Sequence, residues 1–126
     1  MNTKIVKTDN DILLMDSPFH QLDVHLKHAQ NLLAKDLSGT SDPYVKFKIG
    51  EQIIGRSKII YKTLNPCWDE YFVFPINDIC QPLSLKVYDH DFFSTDDFLG
   101  MNSIDLLKLN PSRYLQLIIV NYCIVF

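Results

Sequence analysis

Glutamate is nearly absent: of fifteen acidic residues in a chain of 126, thirteen are aspartate and only Glu51 and Glu70 are glutamate. Aspartate favours turns and caps where glutamate favours helix interiors, so the composition speaks against a helical protein and places negative charge on loops. No segment of helical period competes, apart from one short turn expected near residues 106–108. Glycine is also scarce, four in all, and none forms a Gly-rich phosphate loop. The three cysteines, Cys67, Cys80 and Cys123, are odd in number and follow no C-x-x-C spacing, which excludes a simple disulfide framework or zinc ribbon and fits a reducing compartment. Long apolar runs are missing too. Ile12 to Met15 is too short for the core of a signal peptide, and the thirteen uncharged residues Tyr114 to Phe126 fall short of the ~20 that cross a bilayer as a helix. The sole Asn-x-Ser, at Asn110-Pro111-Ser112, is disqualified as a glycosylation acceptor by its proline. A basic excess is lacking as well: the formal charge is −3, and without aromatic-basic repeats nucleic acid is not an expected partner. A cytosolic setting follows as the expectation.

What is present is core material. Nearly half of the residues are apolar, with eight Phe, six Tyr and one Trp, enough for one domain and too much for a disordered chain. Residues 1–19 read as a polar leader closed by the turn-forming Asp16-Ser17-Pro18. From Leu22 the chain alternates, with Leu22, Val24 and Leu26 on one face against Asp23, His25 and Lys27 on the other. Val45, Phe47 and Ile49 alternate likewise with Tyr44, Lys46 and Lys48. The pattern predicts strands at 22–27, 44–49, 56–61, 69–74, 83–88, 101–106 and 114–120, which argues an all-β sandwich.

Two acidic clusters break this regularity. Asp89, Asp91, Asp96 and Asp97 crowd into nine residues with no lysine or arginine among them, and Asp36 and Asp42 flank Gly39 in an earlier loop. Unpaired carboxylates a few ångströms apart repel unless a cation or protons intervene, and an oxygen-only set without His or Cys suits calcium. An EF-hand does not fit, because counting from Asp89 the sixth position is Ser94 and the twelfth is Gly100 instead of Gly and Glu. A site built from two loops of a sheet protein remains, alongside the plainer reading of solvated turn aspartates.

The ordered series Ser41-Asp42-Pro43-Tyr44-Val45-Lys46, Thr63-Leu64-Asn65-Pro66-x-Trp68-x-Glu70, Val87-Tyr88-Asp89-x-Asp91 and Asp96-Asp97-Phe98-Leu99-Gly100 resembles the C2 domain. The stretch from Gly39 to Gly50 and the Arg56-Ser57-Lys58-Ile59-Ile60 after it look most like the first C2 domain of the multiple C2 domain and transmembrane region proteins. The resemblance covers about His20 to Asn110. It implies an antiparallel Greek-key β-sandwich and a calcium site of two or three ions on Asp36, Asp42, Asp89, Asp91 and Asp97, with backbone carbonyls of Lys35 and His90 completing it. All five acids are present, Asp96 lies outside the pattern, and Trp68 with Asn65-Pro66 reads as structural.

Calcium-dependent binding to anionic phospholipid is the implied function, as a module and not an enzyme. Two bound Ca²⁺ would take the formal charge of the chain from −3 to +1, most of the change falling at one tip and turning repulsion of an anionic leaflet into attraction. Leu37, Phe92 and Phe93 sit beside the implied ligands as candidate membrane-inserting residues, with a fold-back of Phe92 onto the core as the alternative. Lys46 and Lys48, Arg56 and Lys58, flanked by Tyr44 and Tyr88, form a cationic face that the resemblance offers as a headgroup site for phosphoinositides, alongside the plainer reading of a solvated lysine-rich strand face. A calcium-independent module binding proteins or phosphoinositides is the second reading. The implied location is cytoplasmic and peripheral to membranes when calcium binds, with a parent protein anchored in the endoplasmic reticulum. The domain is expected over 20–120, with 121–126 a divergent apolar tail. An eight-stranded family sandwich would leave this chain short of its last strand, as a truncated or alternatively spliced product in which either Ile12 to Met15 or the tail fills the vacant edge or an exposed apolar edge invites aggregation.

Overall fold

The computed structural model describes residues 20–34, 37, 39–109 and 114–119. Seven strands follow in order: β1 His20–His28, β2 Pro43–Ile49, β3 Gln52–Arg56, β4 Cys67–Ile76, β5 Leu83–Asp89, β6 Asp97–Ile104 and β7 Tyr114–Ile119. One 3₁₀ turn, Leu106–Lys108, begins where the Asp105 side chain accepts the Leu107 N–H, and it buries Leu106. Its position is the one expected from sequence.

The strands form two layers, β4-β1-β7 and β3-β2-β5-β6. Alternation decides what lies between them. Leu22, Val24 and Leu26 of β1 face Val45 and Phe47 of β2 and Leu83, Leu85 and Val87 of β5, joined by Trp68, Phe74 and Ile76 of β4. Trp68 is fully buried, and its indole N–H donates to the Lys58 carbonyl at 3.1 Å, so its expected structural role holds.

Three features depart from the alternation pattern. The third strand is 52–56 and not 56–61: after Arg56 the chain leaves the ladder, and isolated bonds from Ser57 N–H to Val45 C=O and Ile60 N–H to Pro43 C=O replace it. Strand β6 starts at Asp97, earlier than expected, with Leu99 and Gly100 its only buried residues. Lastly, the sandwich is not antiparallel throughout. β1 pairs antiparallel with β4, Leu22 opposite Phe74, but parallel with β7, Leu22 beside Leu115. The leader, the tail and the idea that either fills an edge fall outside the described residues; within them, β7 occupies the place beside β1.

Candidate functional site at the loop tips

Strand register delivers the acids. Pro43, Asp89 and Asp97 stand in one row across β2, β5 and β6, so Asp89 lies directly opposite Asp97 and Asp42 precedes the row by one residue. Facing positions on antiparallel strands hold side chains about 4.5–5.5 Å apart at Cβ. The loops are then stitched together through Asp42. Its N–H donates to Asp89 Oδ1 at 2.7 Å, its C=O accepts the His90 N–H at 3.0 Å, and its Oδ1 accepts the Lys62 N–H at 2.7 Å. Ser41, fully buried, extends the seam by accepting the Thr63 N–H at its carbonyl and donating its hydroxyl to Leu33 C=O.

Asp91 organises its own loop, accepting the Phe93 N–H at 2.8 Å and the Ser94 hydroxyl at 2.7 Å, and these bonds hold its carboxyl below the usual range. Asp96 is more than a bystander. It accepts the Tyr44 hydroxyl and the Asp91 N–H, and His90 Nδ1, itself buried without a hydrogen bond, lies 3.4 Å from it. Burial would raise the Asp96 carboxyl, but the bonds from Tyr44 and Asp91, with His90 nearby, outweigh it and the net shift is downward. Burial and that same bond push the Tyr44 phenol upward.

Among the described residues Asp42, Asp91 and Asp97 make no ion pair with lysine or arginine. The donors are all hard oxygens, which fits a calcium ion and fits poorly with softer metals. Among the described residues, however, no three His, Cys, Asp or Glu form a ready cluster for a metal. Asp36 and Lys35, the ligands expected from the first loop, lie outside the described residues.

The apolar residues expected at the tips are exposed there: Leu37 at 110%, Phe93 at 98% and Phe92 at 70%. Phe92 does not fold back onto the core. Its ring stands edge-on to His90 at 4.7 Å and parallel to Tyr61 at 6.3 Å. Tyr61 went unnoticed in the sequence because the expected strand 56–61 absorbed it.

The candidate headgroup site is rearranged. Tyr44 is 1% exposed and its hydroxyl is committed to Asp96, so it is a platform under Arg56, whose Cζ lies 4.7 Å from the ring, and offers no surface of its own. Lys46 sits opposite Arg56 and over the Tyr88 ring at 4.5 Å. Lys48 instead turns to Glu51 at 3.7 Å, and Lys58 lies beyond the end of β3. Lys86, opposite Lys46 on β5, joins the row and was legible from alternation in 83–88.

The C2 domain sequence profile matches residues 20–118. The chain belongs to the C2 domain family. Multiple C2 and transmembrane domain-containing protein 1 of Rattus norvegicus is 49% identical to this C2 domain over 109 residues, 86% of this chain but 12% of that protein. A C2 domain of plant Extended Synaptotagmin 1 superposes with a TM-score of 0.68 at 34% identity, over 75% of each chain. The calcium-bound pair of C2 domains of Extended-Synaptotagmin 2 gives 0.61 at 35% identity, over 71% of this chain and 35% of that one.

Proposed function

We propose that this C2 domain docks to anionic phospholipid membranes in a calcium-dependent manner, through its loop tips, as a binding module without catalytic activity. The observation that carries the reading is the strand register that sets Asp89 opposite Asp97, with the Asp42 N–H bonded to Asp89, at the end of the sandwich where Leu37, Phe92 and Phe93 are exposed. Asp36, Asp42, Asp89, Asp91 and Asp97 would hold two or three calcium ions with the carbonyls of Lys35 and His90. Calcium supplies positive charge and open positions for phosphate oxygens. The chain's own residues do the rest: Asp42 ties the loops into one rim, and the exposed Leu and Phe enter the acyl boundary. Such a module would be peripheral to cytoplasmic membranes, and in a longer parent it would act beside an anchor in the endoplasmic reticulum. A likeness to a calcium-bound relative supports this reading.

Co-sedimentation with phosphatidylcholine–phosphatidylserine vesicles tests it. Binding should require calcium and be lost in Asp89→Asn with Asp91→Asn; equal pelleting of both proteins with and without calcium would end it.

The row Arg56, Lys46 and Lys86 on the outer sheet face, with Tyr88 beneath Lys46, favours phosphoinositide binding without calcium as the second reading. Titration of a soluble inositol polyphosphate in chelator, against Lys46→Gln with Lys86→Gln, separates the two.

A further inference from the structure

We infer that Tyr61, in the loop between β3 and β4, is a positioning residue for membrane docking, which lies at the bilayer interface and sets the posture of Phe92. The inference rests on the membrane-docking reading above and adds a residue and a division of labour to it. Tyr61 is 54% exposed and lies at the same end as Phe92, with the two ring planes within 6° of parallel. His90 meets the same Phe92 ring edge-on. Phe92 thus has two aromatic neighbours that restrain its ring, where a lone exposed phenylalanine would gain by collapsing onto the protein.

The loop has little freedom to withdraw. Ile60 N–H is bonded to Pro43 C=O, Lys62 N–H to the Asp42 carboxylate and Thr63 N–H to Ser41 C=O, so Tyr61 sits between anchored neighbours. Lys62 adopts a left-handed φ of +56°, a conformation that a non-glycine residue keeps only when its surroundings hold it. The occupant of this surface is a lipid bilayer for two reasons. The Tyr61–Phe92 pair is continuous with the exposed Phe93 that follows Phe92 in the chain, and Lys62, next to Tyr61 in sequence and with no ion pair among the described residues, supplies a cation in the same loop to meet anionic headgroups. Tyrosine suits the boundary itself, ring toward acyl chains and hydroxyl toward headgroups, while Phe93 and Leu37 go deeper.

The test uses the full chain, phosphatidylcholine–phosphatidylserine vesicles and calcium. Trp68 is the sole tryptophan and is buried, so an indole introduced by Tyr61→Trp reports from the loop over a constant background. Its emission should shift to the blue on vesicle binding and be quenched by brominated acyl chains. Tyr61→Ala should weaken vesicle affinity by about tenfold and Tyr61→Phe by less than about threefold, the aromatic ring carrying most of the effect. Without any lipid, Tyr61→Ala should move the Phe92 ring proton resonances, a change that unaltered packing of the loop would not give. If vesicles pellet the protein but the new indole stays water-exposed and Tyr61→Ala binds as wild type, the inference falls and membrane docking stands. If no vesicle binds wild type, both fall together.

Discussion

Gly55 lies in β3 beneath the ring of Phe74, and a Cβ there would meet the ring Cε1 at 2.6 Å. Phe74 cannot give way easily, since Phe47 and Phe72 pack on it at 5.3 and 5.5 Å. Gly55→Ala should therefore destabilise by about 1–3 kcal/mol, read as a lower urea midpoint with an unchanged slope. A second residue-scale case is the Tyr44–Asp96 bond. With its folded pKa held down, Asp96 contributes stability in full above the ordinary carboxylate range, and that contribution is lost as pH falls through the depressed value. Tyr44→Phe removes the largest of the interactions that hold this pKa down, so it should lower stability near neutrality by about 1–2 kcal/mol and flatten the loss in acid, measured as melting temperature against pH. A variant that melts like wild type with the same acid slope would show the bond to be idle. Neither effect was legible in the sequence. Alternation put Tyr44 on the face away from Val45 and Phe47 correctly, but only the fold brings Arg56 and Asp96 over it, and Asp96 carried no signal of this bond to distinguish it from its neighbour Asp97.

At the scale of elements, legibility followed burial. β1, β2 and β5 were readable because each buries every second side chain between two packed layers. β3 and β6 were displaced for opposite reasons. Ile59 and Ile60 look like strand but run beside the sheet on isolated hydrogen bonds, whereas Met101 to Ser103 are strand yet exposed, so their pattern carries no period. The acidic loops were located by residue type and spacing, while the stitching through the backbone of Asp42 is invisible to any side-chain pattern. The parallel β1–β7 ladder could not be foreseen either, since alternation says which face is buried but not which direction a neighbour runs. A chain ending at residue 113 would leave one edge of β1 open, and it should lose its cooperative melt and scatter light on warming. A melt coincident with the full chain would show that β7 contributes nothing.

For the molecule as a whole, calcium is expected to act as a stabilising ligand. At ~100 times its Kd, binding to the folded state alone gives about 2.7 kcal/mol, on the order of 10 °C in melting temperature for a domain of this size. Asp89→Asn with Asp91→Asn should abolish the rise, and scanning calorimetry with and without chelator measures it; an unchanged melt of wild type in calcium would count against the ion site.

The parallel pairing of β1 with β7 also bears on how the chain reaches this structure. Residue 21 pairs with residue 114, so among the described strands β1 leaves the ribosome well before its parallel partner β7, while β4, arriving in between, can zip onto its other side. Such distant pairings carry the greatest loop-closure entropy and form slowly. The three-stranded layer should therefore be completed from the β4 side, with β7 docking late, and amides of β1 facing β4 should gain protection in pulse-labelled refolding before those facing β7.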